Sequence, residues 1–188
     1  MLLSGGESRR MGTDKATFLF RGKPLWQIQL ETLRGLRPSE IFVSARTDPS
    51  WRPADVHFIA DIPPSYGPLS GLAASLAKIH TAHLVALAID MPFMTPSYLR
   101  SLCDAAEPGR GVVAKIDDCA EPLAAVYPRD AEIDFRSALA GSDFSLQNIV
   151  RHLVAAGKLL EISVTKQETL LFRNVNSLCD LDVARARG

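Results

Sequence analysis

Residues 83–90, HLVALAID, form an apolar run that is broken only at its ends, by His83 and by Asp90. A strand with one wet face alternates polar and apolar residues; an unbroken run suits a strand covered on both faces. That places 83–90 at the centre of a sheet between two helical layers. Its closing carboxylate then lies at the C-terminal end of the strand, where ligands collect in open α/β sheets.

The flanking segments repeat the same alternation. Upstream, Pro24 followed by LWQIQLETLRGL (25–36) has a helix signature, with proline in the first turn and apolar residues at Leu25, Ile28, Leu33 and Leu36. EIFVSA (40–45) and VHFIA (56–60) are β-rich, and GPLSGLAASLAKIH (67–80) is helical after its proline. Downstream, TPSYLRSLCDAAE (95–107) opens as a helix with Thr-Pro, and GRGVVAKI (109–116) and PLAAVYP (122–128) read as strands. RDAEIDFRSALAG (129–141) and SLQNIVRHLVAAG (145–157) read as successive helices, and KLLEISV (158–164) and TLLFRNV (169–175) as late strands. The pattern predicts an α/β chain with a mainly parallel central sheet and helices on both faces, in three layers. No internal repeat or Pro/Gly/Ser-rich linker divides it, so one domain is expected over residues 1–188.

Lys plus Arg equals Asp plus Glu at 21 each, so no overall charge points to nucleic acid or an anionic membrane, and any anion site must be local. No apolar run approaches the length of a bilayer span. Cys103, Cys119 and Cys179 are odd in number and form no CxxC pair, which argues against a disulfide framework or a zinc site and for a reducing cytoplasm. His80 and His83 lack nearby cysteine or carboxylate partners and read as part of a helix-to-strand connection rather than as metal ligands.

The stretch SGGESRRMGTDK (4–15) follows the apolar start MLL. Its glycines permit close backbone approach to an anion, and Arg9, Arg10 and Lys15 add charge. It matches neither a Walker A loop nor a dinucleotide fingerprint. On composition alone it reads equally well as a surface turn; its place directly after the first strand favours an anion site, with a triphosphate as the natural guest. Asp90 offers an oxygen ligand suited to Mg²⁺, the alternative being a cap on the following segment. Asp61, in IADIPPSYGPLSGL (59–72), occupies the matching place after another strand, or is an ordinary loop acid.

With LSGGESRRMGTDK (3–15), GPLSGL (67–72) and DMPF (90–93) in hand, the sequence resembles the molybdenum cofactor guanylyltransferases, whose opening pattern is close to L-A-G-G-x-S-x-R-M-G-x-D-K. Ser4 in place of Ala is the departure there. GKPLWQ (22–27), EPLAAVYP (121–128) and RNVNSLCDL (173–181) extend the likeness over nearly the whole chain. The resemblance implies a Rossmann-like nucleotidyltransferase fold. It implies that Leu3, Ser4 and Gly5 line the guanine pocket, that Lys15 contacts phosphates, that Asp61 contacts the nucleoside and that Asp90 holds Mg²⁺. Arg10 falls on the loop arginine expected at the reacting phosphate, and Asn174 and Asn176 fall on the pterin side. Ser44 replaces a frequent Asn at the end of the second strand and keeps part of a nucleoside contact. NVNSLCDL lacks the proline of the family's N-x-N-T-P-x-D-L, and SDFSLQNIV (142–150) lacks a basic residue common in relatives.

The reaction so implied is transfer of GMP from GTP to the phosphate of molybdopterin or molybdenum cofactor, with release of pyrophosphate. Other cofactor-assembly proteins or acceptor enzymes are the implied partners. Gly5, GPLSG and DMP side with guanine, and a missing Cβ at Gly5 leaves room for a purine. A cytidylyltransferase acting on the same pterin and a non-catalytic binding protein are the competing readings.

Overall fold

In the computed structural model of the chain, residues 1–5, 14–61 and 63–175 are described. In chain order the elements are β1 (Leu2–Leu3), β2 (Leu19–Phe20), β3 (Lys23–Pro24), α1 (Leu25–Arg34), β4 (Phe42–Ala45), β5 (His57–Ala60), α2 (Pro68–Leu76), β6 (His83–Ala88) and α3 (Pro96–Asp104). They continue with β7 (Gly111–Ile116), β8 (Cys119–Pro128), α4 (Glu132–Ala140), α5 (Leu146–Ala155) and β9 (Leu159–Ser163).

Seven strands form one sheet in the order β5-β4-β1-β6-β8-β7-β9. The first four in that order are mutually parallel, and β9 is parallel to β7. Only β8 opposes its neighbours. It does so because Asp117 and Asp118 close a tight turn between Ile116 and Cys119, with Asp117 at a φ of 51°, a conformation Asp tolerates better than most residues.

The strand read first from the sequence, β6, lies in the middle of the sheet and is covered on both faces. Val85 and Leu87 pack with Leu25, Leu30, Leu99 and Leu102 of α1 and α3. Leu84 and Ala86 pack with Leu69, Leu72, Phe135 and Leu153 of α2, α4 and α5. Each fully buried leucine in these layers contributes about 1.5–3 kcal/mol of transfer free energy. The expected three-layer arrangement is therefore observed, and among the described residues no helix is long and apolar enough to cross a membrane.

Local signals explain the boundaries. Thr95 Oγ1 accepts from the Tyr98 N–H at 3.3 Å and Pro96 opens α3, a side-chain cap followed by a residue that has no N–H to satisfy. Arg21 and Gly22 have φ of 51° and 80° and close the β2–β3 hairpin, which the helix reading from Pro24 onward did not include. His83 opens β6 with Nε2 2.9 Å from the Glu107 carbonyl oxygen.

One expected strand is not a strand. TLLFRNV contributes instead to a 3-10 helix over Glu168–Phe172. Glu168 Oε2 accepts from both the N–H and the hydroxyl of Thr165, at 2.9 and 2.6 Å, a capping-box arrangement that starts a helical turn. The turn buries Phe172 edge-on against Tyr98, with ring centroids 5.3 Å apart, and leaves Leu170 exposed.

Candidate active site

The C-terminal ends of β1, β4, β5 and β6 are brought level by their ladders. Ser4 N–H donates to the Ser44 carbonyl at 2.9 Å, Asp61 N–H to the Ala45 carbonyl at 3.1 Å, and Ile89 N–H to the Leu3 carbonyl at 3.0 Å. Parallel pairing thus sets Ser4 and Gly5, Ser44, Asp61 and Asp90 along one rim of the sheet, although up to 86 positions separate them in sequence, from Ser4 to Asp90.

Two groupings stand on that rim. The first surrounds Asp61, a buried residue at 8% exposure. Ser44 Oγ donates to Oδ1 at 2.9 Å and Ser65 Oγ donates to Oδ2 at 3.1 Å. Burying a carboxylate is costly unless its oxygens are hydrogen-bonded, and these hydroxyls answer that cost. Glycines make the space. A Cβ on Gly71 would stand 2.4 Å from Ser44 Oγ, 3.1 Å from Leu3 Cδ2 and 3.3 Å from Asp61 Oδ1. A Cβ on Gly5 would stand 3.2 Å from Asp61 Oδ2. Leu3, Gly5, Ser44 and Asp61, named separately from the sequence, therefore meet around one carboxylate.

The second grouping joins Lys15 to Asp90, with Nζ 3.0 Å from Oδ2 and side-chain exposures of 17% and 24%. Lys15 begins a 3-10 turn, Lys15–Thr17, whose Ala16 N–H is accepted by Asp14 Oδ1 at 3.0 Å. The Asp90 carbonyl accepts from the Val175 N–H at 2.9 Å, which brings the exposed Asn174 beside the same strand end. Arg10 and Asn176 lie outside the described residues. Among the described residues no group of three His, Cys, Asp or Glu side chains could hold a metal ion. A lone partly exposed carboxylate fits Mg²⁺, which commonly takes one or two carboxylates, keeps several waters and is completed by substrate phosphates.

The sequence reading did not single out Ser65, the space made by Gly71, or Gln29. Ser65 lies four residues after Asp61 in a proline-rich loop, a spacing that permits a local side-chain contact. Gln29 is fully buried on α1 and donates Nε2 to the Ala88 carbonyl at 3.2 Å, just before Asp90. A long polar side chain among the buried leucines of α1 was its available signal.

Residues 1–157 match the family model described as the MobA-like NTP transferase domain. The chain belongs to this family. It is similar over 99% of its length to a probable molybdenum cofactor guanylyltransferase of Opitutus terrae, at 32% identity and covering 94% of that protein. It is 27% identical to a molybdenum cofactor guanylyltransferase of Syntrophotalea carbinolica, over 100% of this chain and 90% of the relative. The structure of a molybdopterin-guanine dinucleotide biosynthesis protein A from Archaeoglobus fulgidus superposes with a TM-score of 0.77 at 26% identity, covering 98% of this chain and 95% of that one. The family resemblance and the nucleotidyltransferase class read from the sequence are borne out, as is the Rossmann-like fold of this MobA-like nucleotidyltransferase.

Proposed function

We propose that this MobA-like protein, a single nucleotidyltransferase domain over residues 1–188, transfers GMP from GTP to the phosphate of molybdopterin or molybdenum cofactor. An anionic oxygen of the pterin phosphate attacks the α-phosphorus, the bond to the β-phosphate breaks, and its electron pair leaves with pyrophosphate. The attacking oxygen is already anionic at neutral pH, so no general base is needed. Positioning and charge neutralisation supply most of the catalysis in such transfers.

The observation that carries this reading is the spacing of tasks along one rim: a close-packed group of small residues around Asp61, and a cation–carboxylate pair, Lys15 with Asp90, on the same edge. Gly5, which has no Cβ, is assigned to the purine beside Leu3 and Ser4. Asp61 accepts hydrogen bonds; guanine offers two adjacent donors, N1–H and N2–H, that one carboxylate can accept together, whereas cytosine offers a single amino donor at N4. Ser44 and Ser65 hold that carboxylate in place. Lys15 and Arg10 bind phosphate oxygens and stabilise the charge that grows on pyrophosphate. Asn174 and Asn176 are assigned to the pterin substrate by the family resemblance. Mg²⁺, held by Asp90, would neutralise and align the phosphates when bound. The cytoplasm, where GTP is available, is the proposed location.

Calorimetric titration with GTP and with CTP in Mg²⁺, followed by measurement of pyrophosphate on adding molybdopterin, tests the proposal. GTP preference and release of pyrophosphate are expected. Preference for CTP would favour the cytidylyltransferase reading, and GTP binding without pyrophosphate release would favour a binding protein.

A further inference from the structure

The loop between β4 and β5, residues 46–56, is fastened before it reaches the site. Arg52 forms paired bonds to Asp48, Nε to Oδ1 and Nη2 to Oδ2, both at 2.7 Å, and its remaining guanidinium nitrogen donates to the Pro53 and Val56 carbonyls. Beside it, Trp51 stacks on Trp26 of α1, with ring centroids 5.6 Å apart and planes 14° from parallel. From this base the Trp51 indole N–H donates to Asp14 Oδ2 at 2.7 Å. Asp14 uses its other oxygen to accept from Ala16 N–H, which sets the turn that begins with Lys15. Lys15 in turn reaches Asp90.

The contacts therefore run from a stacked aromatic pair, through one carboxylate, to the lysine of the candidate site. Asp14 and Lys15 are adjacent, and side chains at successive positions of a turn do not face each other. With one oxygen engaged by the indole and the other by Ala16 N–H, the Asp14 carboxylate is directed to those partners. An indole N–H is a donor only, and a hydrogen bond to a charged acceptor is stronger than a neutral one. Phenylalanine in its place can still stack on Trp26 but cannot hold Asp14.

We propose that Trp51 is a positioning residue for Lys15: its N–H fixes Asp14, and so presets the ammonium for the nucleotide phosphates. The proposal rests on the GTP-dependent function above. Trp51→Phe, Lys15→Ala, the double variant and the wild type are titrated with GTP in Mg²⁺, with thermal unfolding recorded for each. Loss of one charge-assisted bond acting through Lys15 predicts about three- to tenfold weaker GTP binding by Trp51→Phe. The same substitution in the Lys15→Ala background is expected to cause no further loss, since coupled residues are non-additive. In turnover, KM for GTP rises while KM for molybdopterin is unchanged. Asp14→Asn, whose amide keeps one oxygen for the Ala16 N–H and turns an NH2 donor toward the indole N–H, weakens GTP binding similarly and keeps the test open if Trp51→Phe does not fold. Wild-type protein that binds no GTP overturns the function itself. GTP bound equally by wild type and Trp51→Phe, or losses that add in the double variant, overturns only the role of Trp51.

Discussion

Lys15 Nζ donates to Asp90 Oδ2 over 3.0 Å, joining the turn that follows the first strand's loop to the end of β6, the central strand. The group proposed for the phosphates, Lys15, and the group proposed for Mg²⁺, Asp90, thus neutralise each other before a nucleotide arrives. Both are partly buried, so the pairing offsets part of the cost of holding each charge in a site of reduced solvation.

The pair predicts an asymmetric response to substitution. Asp90→Asn is expected to lower turnover by about a hundredfold or more while GTP still binds, because it removes the carboxylate proposed for Mg²⁺. Lys15→Ala is expected to weaken GTP binding by about tenfold or more, with a smaller salt dependence than in the wild type. Steady-state kinetics and calorimetry at two ionic strengths check both.

Gly71 predicts a steric coupling. Its Cβ-free position is filled by Ser44 Oγ, which a methyl group would meet at 2.4 Å. Gly71→Ala should cost about 1–3 kcal/mol of stability, as overpacking does. Ser44→Ala removes the blocking hydroxyl, so the double variant should lose less than the sum of the two single losses. Urea denaturation of the two single variants and the double variant measures the coupling.

The serines around Asp61 predict a cost in both stability and affinity. Ser44→Ala leaves one oxygen of a buried carboxylate without its donor and should destabilise the fold by about 1–3 kcal/mol. Ser65→Ala, at a less buried hydroxyl, should cost less stability but should still weaken GTP binding. Denaturation and nucleotide titration, run on the same preparations, separate the two effects.

Glu121 predicts a pH dependence of stability. Burial pushes its carboxyl above the ordinary glutamate value. A folded-state pKa above the unfolded one means that the folded protein binds more protons, so this group's contribution declines as pH rises through that window. Glu121→Gln should therefore raise the midpoint of thermal unfolding at neutral pH, and the gain should fade as pH falls below the ordinary glutamate value, about 4, where the glutamate becomes protonated in both states. Melting curves across pH 4–8 follow the difference.

The parts of the fold that repeat a local pattern were legible in the sequence. The run ending in Asp90 needs two apolar faces wherever it folds, and Thr95-Pro96 caps a helix by its own chemistry. TLLFRNV was misread because a few apolar residues in succession suit a strand or a single turn equally. Thr165 and Glu168, three positions apart, decide for the turn. At the candidate site, Asp61 and Asp90 were legible as charged groups just beyond strands, and Lys15 as the charge that closes the glycine-rich loop after the first strand. Ser65, Gly71 and Trp51 were not, because their roles depend on distances across the rim; Trp51 meets Asp14 across 37 positions of sequence.

Transfer of labelled phosphate tests the central claim most directly. Wild-type protein is incubated with GTP labelled at the α-phosphate, molybdopterin and Mg²⁺, and the pterin product is separated and counted. The account predicts label in a pterin–guanine dinucleotide, with one pyrophosphate released for each transfer and a strong loss in Asp90→Asn. Bound GTP with no label reaching the pterin, or label transferred more readily from CTP, would contradict it.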